Sequence, residues 1–244
     1  MAVCGILEVA RPHQEEAQPH MADQTALYQW TAILSTQFPA LSQPQVRVLA
    51  LWSLGLVLTR SCALTTVGFF WATALAVPPN TVRQRLREWC YDAPDKRGAQ
   101  RRALAVADCF VPLLGWVLSW WRGPHLALAL DASSLGERFV VLAVSVVYRG
   151  CAIPVAWVIL PATTKHAWKH EWLRLVRHLR PAVPSTMTVI VLADRGLYAR
   201  WLFVRLVRLG RLGRLGWHPF LRVNAGGTLP VAPSVPTAPV PFAA

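Results

Sequence analysis

The features that most constrain the fold of this chain are two short apolar runs, each of which ends in an aspartate. Residues 126–130 (Leu-Ala-Leu-Ala-Leu) precede Asp131, and residues 188–193 (Thr-Val-Ile-Val-Leu-Ala) precede Asp194. Short runs of β-branched and apolar residues are typical of buried strands. A carboxylate directly after such a strand lies at the edge of a sheet. The sequence therefore predicts an α/β fold in which two strands end in acids.

The elements around these runs predict the order of the sheet. The first three strands are expected to form an antiparallel meander, with a polar turn at residues 132–138 and a hairpin turn at Arg149-Gly150. Near-continuous Val, Ile and Leu runs predict a sheet covered on both faces. The predicted strands are residues 126–130, 139–148, 151–160 (or 153–160), 188–193 and 219–223, and the predicted helices are residues 165–179 and 198–209.

The N-terminal half has helical periodicity, and its fourth helix is basic. In residues 81–89 an apolar face is opposed by Arg83, Arg85 and Arg87. A helix, a short turn and a basic helix form the outline of a helix-turn-helix, whose second helix enters the DNA major groove. A solvated face with three arginines is the alternative interpretation. The predicted helices of this half are residues 23–37, 42–60, 65–76, 81–89 and 103–121.

Changes in composition and in the periodicity of apolar residues divide the chain into four predicted regions. A polar segment with two prolines precedes the helices, and a segment rich in Pro, Ala and Val follows the last strand. The regions are a flexible tail (1–22), a helical DNA-binding region (23–121), a partial α/β core (122–228) and a disordered Pro/Ala tail (229–244).

The charge of the chain favours a nucleic-acid partner. There are 25 Lys and Arg residues against 12 Asp and Glu, a formal net charge of +13, and only three of the 25 are lysines. Arginine binds phosphate oxygens through a planar two-pronged fork. A GC-rich coding sequence would explain the excess of arginine over lysine but not the net charge.

The cysteines and the apolar runs indicate the cellular compartment in which we expect the protein. The five cysteines form no CxxC pair, which excludes the usual zinc and disulfide patterns and fits a reducing cytosol. No basic segment followed by an apolar stretch opens the chain, so we expect no signal peptide and a cytoplasmic protein. The apolar content of 54% keeps a small helical membrane protein as an alternative. Its apolar runs are shorter than a span needs, and Arg60 interrupts one of them after about twelve residues.

The two aspartates predict a metal site if their strands are neighbours. Asp131 and Asp194 would then leave the sheet side by side, and two adjacent carboxylates repel each other unless a cation lies between them. Mg²⁺ or Mn²⁺ prefers carboxylate and water ligands. Two such ions about 4 Å apart can activate a nucleophile and stabilise the leaving oxygen in phosphoryl transfer. Taken singly, each aspartate could equally be a strand-end turn or a helix cap.

Four segments carry a resemblance to a known family. They are Leu-Ala-Leu-Asp131-Ala-Ser-Ser, Tyr148-Arg-Gly-Cys-Ala-Ile-Pro154, Val-Leu-Ala-Asp194-Arg-Gly-Leu-Tyr and the stretch from Trp201-Leu-Phe through Gly216-Trp-His-Pro-Phe-Leu-Arg-Val-Asn224. In this order they resemble DDE transposases, and more narrowly the bacterial insertion-sequence transposases of the type-four family, over residues 25–228. The resemblance implies a ribonuclease H-like core, a helical DNA-binding region, transposon-end DNA as partner and Mg²⁺ or Mn²⁺ as cofactor. It makes Asp131 and Asp194 the first two metal-binding acids.

The chain departs from that family after Asp194. The family's third acid stands in a later helix with a Tyr, Arg, Glu and Lys pattern, whereas residues 195–244 hold seven arginines and no acid. We therefore expect a C-terminally truncated transposase that binds DNA without full catalysis, or a DNA-binding regulator that competes with full-length transposase. The resemblance leaves a homodimer open. Glu171 is the substitute acid considered, although we favour pairing with Arg174 or Lys169, and Glu137 is expected to be exposed.

Other polar residues receive weaker expectations. Ser133 and Ser134 could touch a phosphate, but no Ser-His-Asp pattern surrounds them. His166 and His170 have the i, i+4 spacing of metal ligands, but they lack a neighbouring Glu and stand beside lysines. We expect solvated or DNA-facing histidines there.

Overall fold

The chain folds into two units, each with its own core. The computed structural model describes residues 21–97, 102–164, 168–194, 200–212 and 216–222. One unit ends at Leu104 and the other begins at Ala105. The predicted tails at residues 1–20 and 229–244 lie outside the described residues, as do residues 165–167 with His166. Residues 21–22 belong to the first helix rather than to a tail.

The first unit is helical. Its helices pack around buried apolar side chains that include Val46, Leu51 and Trp71. The buried indole N–H of Trp71 donates to the Leu51 carbonyl at 2.7 Å, which satisfies the polar atom that its burial would otherwise leave unpaired. The helices are α1 (Met21–Gln37), α2 (Gln43–Thr59), α3 (Leu64–Ala74) and α4 (Pro79–Glu88), followed by a 3₁₀ turn at Ala93–Asp95.

A tight turn joins α3 to α4. The Val77 N–H donates to the Ala72 carbonyl and the Ala76 N–H to that of Thr73, which is the Schellman pattern that ends helices. Ala76 takes the left-handed conformation (φ 51°) that this motif requires. Helix α4 then begins at Pro79, because proline's fixed φ and missing N–H suit the first helical turn. The helix therefore begins two residues before its predicted start at residue 81.

The second unit is a mixed α/β structure with a five-stranded mixed sheet. Its strand order is β3-β2-β1-β4-β5, with β1, β2 and β3 antiparallel and with β4 parallel to both β1 and β5. The elements are a 3₁₀ turn (Val106–Cys109), α5 (Phe110–Ser119), β1 (His125–Leu135), β2 (Phe139–Tyr148), β3 (Cys151–Pro161), α6 (Trp168–Leu179), a 3₁₀ turn (Arg180–Ala182), β4 (Thr188–Ala193), α7 (Arg200–Leu212) and β5 (Gly216–Leu221).

One face of the sheet carries the core. Burial alternates along β1 and β4, so that every second residue is buried and its neighbours are only partly buried. The buried residues pack with Phe110 of α5, Trp172 of α6 and Leu202 of α7 in one cluster. Among the described residues, the prediction of a sheet covered on both faces therefore holds in part, since one face is buried and the other is only partly buried. Helix α5 belongs to this cluster, so the division of the chain precedes α5 and not residue 122 as the sequence suggested.

The hairpins follow from local chemistry. Arg149 and Gly150 both have positive φ (49° and 81°), which a two-residue turn with the twist of adjoining strands requires. Pro154 lies in β3, at a register shift opposite Val144 and Ser145. β3 is an edge strand of the sheet, where a residue without an N–H is tolerated.

No single helix among the described residues has the length and apolar run of a membrane span. Helices α2 and α3 meet the length and composition test only as a pair, and they are bent by 99° at the break between them.

Candidate functional site

Asp131 and Asp194 are brought to one edge of the sheet. The parallel register of β1 and β4 pairs Leu130 with Ala193, so the residue after each of them leaves the pairing at the same level. Neighbouring strands lie about 4.8 Å apart. Both aspartates are exposed. The predicted juxtaposition of the two carboxylates is thus present in the backbone.

Strand β1 does not end at Asp131, contrary to the sequence prediction. It continues to Leu135, with Asp131 paired to Ala143 and Ser133 to Val141 of β2. The predicted polar turn at residues 132–138 shrinks to the link between Leu135 and Phe139, where Gly136 has a positive φ of 60°. The long antiparallel partner β2 carries the pairing past the point where β4 stops. Asp131 consequently sits on a hydrogen-bonded strand rather than on a loose turn.

Ser133 contacts Asp131 directly. Its hydroxyl donates to Oδ2 of Asp131 at 2.5 Å. The two side chains can meet because residues two apart on a strand point to the same face. Ser133 was predicted only as a possible phosphate contact, because the sequence placed it in a turn after Asp131.

A third strand end adds a cation at the same edge. The Arg222 N–H donates to the Ala193 carbonyl at 2.9 Å, directly after β5 pairs Leu221 with Ala193. Arg222 therefore follows β5 at the level where Asp194 follows β4. Arg222 falls in the predicted strand 219–223 and in a segment that resembles the transposase family, but no role was predicted for it.

Glu171 and Glu137, the other acids considered as metal ligands, do not join Asp131 and Asp194. Glu171 on α6 pairs with Arg174, whose Nη2 lies 2.5 Å and whose Nε lies 2.9 Å from Oε2. This is the pairing that the sequence favoured. Glu137 is exposed in the turn between β1 and β2, and His170 is exposed on α6. The described residues contain no group of three or more His, Cys, Asp or Glu side chains that could hold a metal ion.

The donor set suits a hard divalent cation, with two protein ligands rather than three. Two carboxylates on neighbouring strand ends offer oxygen ligands, which Mg²⁺ and Mn²⁺ prefer, and exposure leaves room for the water ligands that Mg²⁺ keeps. The residues present therefore fit a weakly held ion.

The partly buried Cys109 thiol is not suited to act as an alternative nucleophile. The four cysteines among the described residues (Cys62, Cys90, Cys109 and Cys151) are free. Burial raises the pKa of the Cys109 thiol, and the neighbouring Asp108 carboxylate raises it further. A protonated thiol is a poor nucleophile.

The arginines of α4 are exposed, as the sequence predicted, but they do not share one face. Arg83 and Arg87 are four residues apart and lie on one side of the helix, whereas Arg85 lies on the other. The guanidinium of Arg87 stacks over the Tyr91 ring at 5.8 Å. Arg85 instead lines a groove beside the start of α2.

This groove, the Arg85 groove, has a volume of about 420 Å³. It contains four cationic side chains and one acidic side chain. Its lining residues are Ser42, Gln43, Pro44, Gln45, Val48, Arg85, Glu88, Trp89, Lys96, Arg97 and Arg102.

Comparison with known proteins leaves the family open. No family model matches the chain, and no curated protein matches it. Among solved structures, the crystal structure of the Mos1 strand transfer complex matches at 14% sequence identity and a TM-score of 0.25, over 72% of this chain. The chain spans 56% of the length of the chain it matches. Similarity at this level carries no inference about function.

Proposed function

We propose that this chain is a DDE-type transposase protein, related to the bacterial insertion-sequence transposases of the type-four family. In this proposal the helical unit binds transposon-end DNA and the sheet is a ribonuclease H-like core. Asp131 and Asp194 hold Mg²⁺ or Mn²⁺ at its edge. One observation carries the proposal: β1 and β4 are parallel neighbours whose register brings both aspartates to the same level.

The strand order supports the choice of core. The predicted meander of three antiparallel strands is present as β3-β2-β1, and β4 lies beside β1 with β5 beyond it, as the proposed core needs if the two aspartates are to be neighbours. Ligands of open α/β sheets bind beyond the carboxyl ends of parallel strands. Asp131 lies within the continuing part of β1, and Asp194 and Arg222 directly follow β4 and β5.

Each of these residues has a part that its chemistry suits. A divalent ion bound by the two carboxylates supplies Lewis-acid stabilisation of phosphoryl oxygens. Ser133 orients the Asp131 carboxylate through its hydrogen bond. Arg222 offers a guanidinium at the same edge for a phosphate of the DNA.

The proposal includes a limit on activity. The described residues offer no third acid to this site, since Glu171 is paired with Arg174. The sequence has no Asp or Glu after Asp194. Two carboxylates bind a divalent ion less tightly and orient it less firmly than three. We therefore expect this chain to bind DNA without cleaving it.

A paired assay tests this function. Purified chain is titrated onto a labelled duplex carrying candidate transposon ends, and the same samples are incubated with Mg²⁺ or Mn²⁺ and examined for strand cleavage. The expected result is DNA binding that weakens steeply with salt, because cationic side chains release counterions from the phosphates. No cleavage above that of an Asp131→Ala, Asp194→Ala control is expected.

Two results contradict the proposal in different ways. Cleavage that disappears on Asp194→Ala would show an active enzyme and refute the limit on activity. Absence of DNA binding would refute the function as a whole.

A second candidate is a DNA-binding regulator that competes with full-length transposase. The observation that favours it is that four cationic side chains line the Arg85 groove, whereas the described residues contain no group of three metal-binding side chains. Added to a transposition reaction of the full-length enzyme, this chain would then lower strand transfer in proportion to its occupancy of the ends. A chain that leaves the reaction unchanged at saturating DNA occupancy would exclude this role.

A further inference from the structure

The Arg85 groove differs from an ordinary solvated helix face in how its charges are arranged. Arg85, Lys96, Arg97 and Arg102 line it, with Glu88 as the acidic member. Oε1 of Glu88 accepts a hydrogen bond from Gln84 Nε2 at 2.6 Å and lies 4.0 Å from Arg97 Nε. The Arg97 side chain is 86% exposed, and an ion pair with so exposed an arginine is weak. The groove therefore keeps a positive excess toward solvent.

Hydrogen bonds hold the wall of the groove in place. Lys96 Nζ donates to the carbonyls of Arg102 (2.8 Å) and Trp89 (3.4 Å), which ties this segment to the end of α4. Gln45 Nε2 on α2 donates to the Ala103 carbonyl at 3.2 Å. The neighbours of Arg97 and Arg102 in the chain, Lys96 and Ala103, are thus hydrogen-bonded to the end of α4 and to α2. Lys96 holds this segment in place, whereas Arg97 makes only a weak ion pair with Glu88, which a phosphate can replace.

The basic surface continues along α2. A neighbouring hollow of about 540 Å³ shares Gln43, Pro44, Val48 and Arg85 with the groove and adds Arg47. Arg85 stands where the two hollows meet. An extended polyanion can follow such a path, whereas a single small anion would occupy only one end of it.

We infer that the Arg85 groove binds the phosphate backbone of duplex DNA and is the main electrostatic contact of the helical unit. The inference rests on the proposed function, which supplies DNA as the partner, and it adds where the backbone lies. Guanidinium forks match phosphate oxygens, and contacts of this kind give affinity and position without reading bases. The side of α4 that carries Arg83 and Arg87 is then not the source of most of the salt-dependent affinity.

Four variants separate the two sides of α4. The groove variant carries Arg85→Gln, Arg97→Gln and Arg102→Gln, and the outer variant carries Arg83→Gln and Arg87→Gln. Arg60→Asn is the matched control, because it removes one arginine at the opposite end of α2. Asparagine tolerates the left-handed conformation of Arg60 (φ 51°). Arg97→Gln alone is a second groove test that leaves the described hydrogen bonds intact. Thermal unfolding checks that each protein is folded.

The measurement is binding of a fluorescein-labelled 30-base-pair duplex of arbitrary sequence across a salt series. Each lost phosphate contact lowers the slope of log K against log salt by about 0.9. The expected fall is therefore about 2 to 3 for the groove variant and about 1 for Arg97→Gln. No change is expected for Arg60→Asn.

The possible outcomes are distinguishable. An unchanged slope in the groove variant, or a loss confined to the outer variant, would overturn the inference and leave DNA binding standing. A wild-type chain that does not bind the duplex at any salt concentration would overturn the proposed function as well.

Discussion

Ser133 is the side chain that acts most directly on Asp131. A hydroxyl that donates to a carboxylate oxygen at 2.5 Å makes a charge-assisted hydrogen bond, which fixes the carboxylate's orientation. Groups that orient a metal ligand typically change metal affinity about 10- to 100-fold when removed. Because both residues are exposed, we expect the lower part of that range here.

The residue-scale prediction concerns Mn²⁺ affinity. Ser133→Ala is expected to weaken Mn²⁺ binding about tenfold, measured as free Mn²⁺ by electron paramagnetic resonance. Ser133→Thr keeps the hydroxyl and should bind nearly as the wild type does. Ser134→Ala is the control, since its side chain points to the opposite face of β1. If Ser133→Ala retains full affinity while Asp131→Ala loses it, Ser133 has no orienting role.

Individual residues could be predicted where a pattern fixed their position. The two aspartates follow regular apolar runs, so their place at the sheet edge was readable from the sequence. The hydrogen bond from Ser133 to Asp131 could not be predicted, because it requires β1 to continue beyond Asp131. Pairing with β2 causes that continuation. The position of Arg222 at this edge depends on the pairing of β4 with β5. A short strand that contains Pro219 does not allow that pairing to be predicted.

At the scale of elements, the contact of α2 with α3 depends on Gly55. A Cβ atom added at Gly55 would lie 2.5 Å from Trp71 Nε1 and 2.6 Å from Val67 Cγ1. Both neighbours are fully buried, and the Trp71 indole is held by its bond to Leu51. Neither can move away without opening the core.

Gly55→Ala should therefore destabilise the helical unit in spite of alanine's higher helix propensity. We expect the free energy of unfolding to fall by about 1 to 3 kcal/mol, measured by urea denaturation with tryptophan fluorescence. Gly115→Ala in α5 is the matched substitution, because a Cβ there meets no atom within 4 Å. It should be neutral or stabilising by up to about 1 kcal/mol. Equal effects of the two substitutions would disprove the packing argument.

The strands with regular patterns were predicted best. The bounds of β2 and β4 agree with those read from the sequence, since turns flank both runs. β3 begins at Cys151, the earlier of its two predicted starts, because its edge position accepts Pro154. The directions of the α4 arginines were misjudged because alternate residues on a helix lie about 200° apart.

At the scale of the whole molecule, local patterns did not reveal which core each helix joins. Helix α5 is apolar enough for either unit, and the sequence assigned it to the helical region. The structure assigns it to the sheet through Phe110 and Leu114. Hydrophobic periodicity indicates that a helix is buried, whereas the partner that buries it depends on tertiary packing. The predicted metal site required β1 and β4 to be neighbours, and in the structure they are.

The central claim is that Asp131 and Asp194 form one divalent-ion site. Mn²⁺ titration of the full chain tests it most directly, with Asp131→Asn, Asp194→Asn, the double variant and the exposed Glu137→Gln as control. If both carboxylates bind one ion, each single variant should lose most of the affinity, the double variant should lose little more, and Glu137→Gln should bind as the wild type does. Wild-type affinity in either single aspartate variant, or independent additive losses, would contradict a shared site.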